Sequence, residues 1–296
     1  MNFLSVTDLT PDALRDVVDL GLTVKRDPAS VAGTLSGKTI GLFFAKPSLR
    51  TWVSTDIAAD QLGMHPLLLP GAQVGLGSRE APQDVGRVLD RYLDALGMRV
   101  FSHDDLVAVS ANMEAPVINL LSDREHPCQA LADLMTVAEH RPVEGAVIAY
   151  VGDGNNVAHS LMLAATMLGA EIRLASPPGY EPDPEIVTAA RRFGTVVVTD
   201  DPTEAVDGAD AVYTDVWASM GQESEAAERR RLFEPYRVDA ELFARAADDA
   251  IFLHCLPAHR GEEVTDEVLD HPRSRVIDQA ENRLHSFKAI LLHLLR

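Results

Sequence analysis

Short apolar runs alternate along this chain with longer stretches whose apolar residues recur at helical spacing. In the first half, residues 38–44 (KTIGLFF), 67–69 (LLL), 96–100 (LGMRV) and 116–120 (PVINL) are strand candidates. Thr10 and Pro11 open a first helix as N-cap and first-turn proline. Further helices are expected from near Ser48 and over 127–140. A second series starts at Ala146, with strands at 147–151, 171–175, 195–198, 211–214 and 250–253 and a helix over 156–168. Most of these runs are apolar on consecutive positions, the mark of strands covered on both faces. Strand–helix alternation implies a parallel sheet in each half. The expected fold class is therefore α/β, two domains, each a parallel sheet flanked by helices. Residues 141–145 (RPVEG) are the natural hinge.

Composition narrows the function classes. The chain has 296 residues, 46% of them apolar and 24% charged, which suits two globular domains with their own cores. Its longest apolar runs are far shorter than a bilayer span, and MNFLSVTDLT has no basic region leading into an apolar one. Neither a membrane helix nor a secretory leader is expected. Two cysteines, Cys128 and Cys255, form no disulfide framework and no zinc-ligand spacing, so a reducing cytoplasm is expected. A net charge of −19 argues against nucleic acid as a partner. Any anionic ligand needs a local cluster of cations to overcome that field. The one basic run, Arg229-Arg230-Arg231, lies among Glu225, Glu228 and Glu234 and reads as a solvated face.

Several strand ends carry chemistry. Residues 250–253 run into His254-Cys255-Leu256-Pro257-Ala258-His259-Arg260-Gly261, which puts reactive groups where open α/β sheets bind ligands. Alone, Cys255 also fits an inert buried thiol. Phe44-Ala45-Lys46-Pro47-Ser48-Leu49-Arg50-Thr51 spans a strand end and a helix start. Free backbone N–H groups, the Ser48 and Thr51 hydroxyls and the Arg50 fork would suit a phosphate there, although a plain capped helix would look the same. His126 and Gln129 lie three apart at another helix start and can face one ligand; a capping histidine is the simpler alternative. Gly152-Asp153-Gly154-Asn155-Asn156 is glycine-bearing, but it lacks the third glycine and the later acidic residue of a dinucleotide site. Asp215 and Ser219 follow the strand 211–214, where a carboxylate and a hydroxyl would suit an ammonium and a carboxylate, although a strand cap followed by a mobile loop would look the same.

Read together, these segments resemble the aspartate/ornithine carbamoyltransferase superfamily, and its ornithine carbamoyltransferases in particular. The residues that carry the resemblance are Ser48–Thr51 (SLRT), His126–Gln129 within HPCQALADLMT, 152–160 (GDGNNVAHS), 215–223 (DVWASMGQE), 254–261 (HCLPAHRG) and 281–283 (ENR). It spans about Phe3 to Leu295. It implies a carbamoyl-phosphate domain over 1–141 plus a returning C-terminal helix within 273–296, and an ornithine domain over 142–272. It implies that Ser48, Leu49, Arg50, Thr51, Arg99, His126, Gln129, Cys255, Leu256 and Arg283 bind carbamoyl phosphate. Asn156, Asp215, Ser219 and Met220 would bind ornithine, and Cys255, Arg99, His126 and Asp215 would be catalytic. The implied reaction is carbamoyl transfer to the δ-amine of L-ornithine, giving L-citrulline and phosphate, with no cofactor and no metal, in a homotrimer or a multiple of trimers. Two other readings stay open here. One is a carbamoyltransferase for another amine, such as an N-acylornithine, putrescine or a specialised-metabolism substrate. The other is a non-catalytic homologue that binds anions or a partner. The chain departs from the family pattern at Leu49 and Trp52, where threonine and a second arginine are usual. Over 71–80 it departs again: Gly75 falls where the family loop has a glutamine.

Overall fold

A computed structural model describes residues 1–218 and 223–296. The chain forms two compact units, Met1–Met135 with Glu281–Arg296, and Thr136–Ala280.

The first unit holds a four-stranded parallel sheet: β1 Thr39–Phe44, β2 His65–Pro70, β3 Ala95–Arg99 and β4 Val117–Leu121, in the order β2-β1-β3-β4. β3 and β4 are buried throughout, the polar Arg99 and Asn119 included, whereas the edge strand β2 is largely exposed. The Pro11–Arg26 helix starts as its sequence predicts, with Thr10 Oγ1 accepting from Ala13 N–H. Phe43, Leu96, Met98 and Val117 form the core with Leu106 and Val109 from the His103–Ser110 helix. The last helix, Val276–Leu295, begins four residues earlier than the pattern suggests. Its portion from Glu281 packs on this first unit, tied by Lys25 Nζ donating to Asn282 Oδ1 at 2.9 Å.

The second unit holds five parallel strands: β5 Val147–Val151, β6 Glu171–Ala175, β7 Val196–Thr199, β8 Ala211–Thr214 and β9 Ile251–His254, ordered β7-β6-β5-β8-β9. The Asn156–Met167 helix is buried along nearly its whole length, which explains its weak polar face. Ala149, Val151, Val212, Phe243 and Phe252 centre the core on the sheet's other face.

Parallel sheets bind ligands where strand order reverses, beyond the carboxyl ends of the strands. In the first unit that point lies between β1 and β3, with Phe44 opposite Arg99. In the second it lies between β5 and β8, with Val151 opposite Thr214.

Candidate active site

At the first reversal the chain leaves β1 and enters the Leu49–Gln61 helix with Ser48 as its N-cap. Ser48 Oγ accepts from Thr51 N–H at 3.4 Å and donates to Thr51 Oγ1 at 3.0 Å. Thr51 Oγ1 also accepts from Arg283 Nη2 at 2.7 Å, so the last helix reaches the phosphate-loop segment. Thr51, Arg99, His126 and Arg283 are all buried. A register shift of the β3–β4 ladder falls at Arg99, a place where irregular pairing re-aims a side chain. Arg50 has its Nε buried without a hydrogen-bond partner. Leu49 and Trp52 point outward, so neither departure from the family pattern changes the buried set.

Charge in this unit is crowded. His126 is held well below the ordinary imidazole range, by burial first and then by Arg283, Arg99 and Lys46. It is therefore neutral at pH 7, a hydrogen-bond donor that carries no charge. Lys46 is itself lowered by burial and by Arg99, with Asp123 opposing, and its ammonium sits 4.9 Å from the Phe101 ring centroid. Gln129 donates from Nε2 to Asp133 Oδ1 at 2.8 Å, which fixes the amide's orientation. Its Oε1 is buried with no hydrogen-bond partner and can accept from an N–H donor.

At the second reversal Asp215 follows β8. Its Oδ1 accepts from Cys255 Sγ at 3.0 Å and its Oδ2 from Asn155 Nδ2 at 3.0 Å. Asn155 is the N-cap of the Asn156–Met167 helix, accepting from Val157 and Ala158 N–H, so one side chain ends the turn and orients the carboxylate. Asn156 is the first helical residue, half-buried. Leu256 is the one non-glycine in the left-handed region among the described residues, at φ 59°. Ser219 and Met220 lie outside the described residues.

The Gly152–Asn155 turn is closely packed at Gly154. Gly154 N–H donates to Tyr180 O at 2.9 Å, and a β-carbon at 154 would collide with the backbone of Glu181 and Pro182. The third glycine of a dinucleotide fingerprint has no task here.

Sequence reasoning missed four groups. Arg229 is buried rather than solvated, which corrects the reading of the basic run. Its guanidinium donates to Asp153 Oδ2 at 2.8 Å, Glu225 Oε2 at 3.1 Å and Trp217 O at 2.9 Å, and it lies over the Tyr180 ring. The signal was the i,i+4 pair Arg229–Phe233, which shares one buried face of the Ala226–Phe233 helix. Asp153, its partner, is pushed up to about 6 by burial despite the arginine. Asn155, Lys46 and the buried Glu263 were also overlooked. Lys46 and Asn155 adjoin motif residues that had been chosen, and proximity in sequence was their only signal.

Asp215, His254 and Cys255 offer ligand atoms within 4.8 Å of one another. Both ring nitrogens of His254 are engaged, however, one with Glu263 and the other with Leu256 N–H. A metal there would have only two donors left. In the 71–80 segment, Gly71–Val74 is a single helical turn ended by Gly75 at φ 68°.

Two family models match nearly the whole chain. Residues 1–139 match the aspartate/ornithine carbamoyltransferase carbamoyl-P binding domain, and residues 144–294 match the Asp/Orn binding domain of the same family. An ornithine carbamoyltransferase of Carboxydothermus hydrogenoformans is 49% identical over 302 residues, covering 99% of this chain and 97% of its own. An anabolic ornithine carbamoyltransferase of Pyrococcus furiosus is 52% identical over 263 residues, covering 87% of this chain and 84% of its own. The solved ornithine carbamoyltransferase structure from Pyrococcus furiosus superposes with a TM-score of 0.95 at 47% identity, over 99% of this chain and 96% of that one.

Proposed function

Because the chain belongs to the aspartate/ornithine carbamoyltransferase family, we propose that it is the enzyme that carbamoylates the δ-amine of L-ornithine, forming L-citrulline and phosphate. The observation that carries the donor half of this reading is the gathering of Arg99, Arg283 and Lys46 around a neutral His126. In a chain of net charge −19 such a cluster offers an anionic ligand several cations at once. Carbamoyl phosphate supplies a dianion at one end and a carbonyl with an amide N–H at the other. Arg50, Arg99, Arg283, the Ser48 and Thr51 hydroxyls and the helix-start amides take the phosphate oxygens. Thr51, Arg99 and His126 polarise the carbonyl oxygen as charge builds on it in the transition state. Gln129 Oε1 accepts from the carbamoyl nitrogen.

On the acceptor half, Asp215 takes the α-ammonium of ornithine, with Asn156, Ser219 and Met220 completing the grip. The Cys255 thiol, its S–H directed at Asp215, turns a sulfur lone pair to the δ-nitrogen, and Leu256 adjoins it. The δ-amine resembles that of lysine, with a pKa of about 10.4, so delivering it neutral at pH 7 costs about 4–5 kcal/mol. The neutral amine attacks the carbonyl carbon, the C–O bond to phosphate breaks, and the amine's surplus proton leaves for solvent or phosphate.

The protein works in the cytoplasm as a homotrimer or a multiple of trimers. Supporting assembly, the Leu49–Gln61 helix exposes Leu49, Trp52, Val53 and Ile57, and the neighbouring edge strand β2 exposes Leu67 and Leu68. No helix among the described residues is long and apolar enough to cross a membrane. Light scattering reads the mass of the assembly directly. The activity is tested by citrulline formation from carbamoyl phosphate and ornithine. Turnover of putrescine or an N-acylornithine in preference to ornithine would reassign the acceptor, and no turnover with any amine would leave a binding protein.

A further inference from the structure

The turn that carries Cys255 and Leu256 is held by two groups that touch no substrate in the account above. Glu263 is fully buried, and its Oε1 accepts from His254 Nε2 at 3.1 Å and from His259 N–H at 2.5 Å. One carboxylate oxygen thus bridges both ends of the 254–259 turn. Its other oxygen is buried and lies 3.9 Å from His259 Nδ1. His254 is also fully buried, and its Nδ1 accepts from Leu256 N–H at 2.9 Å. A backbone N–H can only donate, so Nδ1 carries no proton and Nε2 does. The hydrogen-bond pattern fixes a single tautomer. Gln279 Oε1 accepts from the His254 backbone N–H at 2.9 Å and anchors the strand end from behind.

What these bonds hold is unfavourable by itself. Leu256 sits at φ 59°, a left-handed conformation that leucine rarely adopts. Such outliers persist only where the surroundings over-determine them. Here the determinant is the relay Glu263, His254, Leu256 N–H. We propose that Glu263 and His254 are positioning residues for carbamoyl transfer, holding Leu256 left-handed so that the Cys255 thiol meets the acceptor amine in one fixed direction. The inference rests on the ornithine reading above. It assigns the first residue of HCLPAHRG, and a carboxylate beyond its end, to the reaction.

The test separates the two nitrogens of His254. His254→Asn keeps an acceptor that can reach Leu256 N–H as a local side-chain turn. His254→Gln keeps a donor toward Glu263 but loses the acceptor at the Nδ1 position. The relay predicts that kcat with ornithine falls about 100-fold in His254→Gln, the size expected from a misplacement of about 1 Å, and only a few-fold in His254→Asn. Glu263→Met behaves like His254→Gln, whereas Glu263→Gln, which keeps an acceptor, recovers most of the rate. The Kd for carbamoyl phosphate, titrated alone, rises far less than kcat falls in His254→Gln and Glu263→Met, because most of the groups that take the donor belong to the first unit. Unchanged kcat in His254→Gln, or losses of kcat and donor affinity in equal proportion, overturns the proposal. Wild-type protein that forms no citrulline refutes the ornithine reading instead. If the Glu263 variants do not fold, nitrogen NMR of wild type decides: an Nε2-protonated His254 with a bare Nδ1 is predicted, and an Nδ1-protonated ring contradicts it.

Discussion

The two units place polar groups at equivalent points of their sheets but leave them in opposite electrostatic conditions. In the first unit burial, and after it Arg283, Arg99 and Lys46, keeps His126 neutral, and burial and then Arg99 lower Lys46 from its usual range. In the second unit the carboxylates sit in a network of hydrogen bonds and an ion pair: Asp215 with Cys255 and Asn155, Asp153 with Arg229. A cluster of like charges gains most from an incoming counter-charge. A closed network instead positions groups and gains little from charge. The contrast teaches that the donor side is built for affinity and the acceptor side for orientation.

The largest expected effect breaks the donor side. Arg99→Ala should lower kcat/KM for carbamoyl phosphate about 1,000-fold, near 4 kcal/mol, because it removes a buried cation from both phosphate and carbonyl oxygen. Arg230→Ala, on an exposed arginine paired with Glu262, should change it less than twofold. Similar losses in both would mean that the crowded cations do not hold the donor.

The second effect falls on stability and on the acceptor side. Asp153 titrates near 6 in the folded protein against 3.8 for a free carboxylate, chiefly through burial. Between those values the native state holds a proton that the unfolded chain has released, so stability falls as pH rises across the window. The difference of about 2 units amounts to about 3 kcal/mol. Urea unfolding of Asp153→Asn at pH 4 and 6.5 should show a pH dependence weaker by about that amount. An unchanged dependence would mean that the Arg229 ion pair fully compensates the burial of Asp153.

Catalysis carries a third signature. If the attacking amine is neutral, kcat/KM for ornithine rises about 100-fold from pH 6 to pH 8, tenfold per unit. His126, already neutral, adds no limb to that profile. A second ionisation near 6.5 that disappears in His126→Asn would show that the imidazole is charged and that the crowding has been misread.

How much of this was legible depended on whether a residue's task is local. The strands were visible because burial on both faces favours apolar runs: 211–214 (AVYT) is found as written and buried throughout, and 171–175 (EIRLA) is found as written with Glu171 and Arg173 only partly buried. Ser48 and Thr10 were legible because an N-cap acts on its own helix. HCLPAHRG was legible as a motif, yet the carboxylate that braces it was not, since Glu263 looks like any acidic residue in a loop until β9 folds beside it. Arg229 was hidden for a related reason. Its neighbours in sequence are acidic and exposed, while the groups that bury it, Asp153 and Tyr180, come from distant turns.

The smallest effect concerns the loop at 71–80. A glutamine at Gly75, as in the family loop, meets a left-handed backbone, and its β-carbon would lie 2.8 Å from Arg79 Cβ. Gly75→Gln should therefore cost about 1–2 kcal/mol of stability and leave the KM for carbamoyl phosphate unimproved. Thermal unfolding and steady-state kinetics check both halves. A lower KM without loss of stability would mean that the loop takes up the family path in the working enzyme.

The division between an affinity side and an orienting side is tested most directly by isothermal titration of carbamoyl phosphate, without ornithine, into wild type, Arg99→Ala and Cys255→Ser. The account predicts that Cys255→Ser, which keeps the backbone and a small polar side chain at that position, binds within a few-fold of wild type, and that Arg99→Ala shows no measurable binding. Binding lost in Cys255→Ser but kept in Arg99→Ala would contradict it.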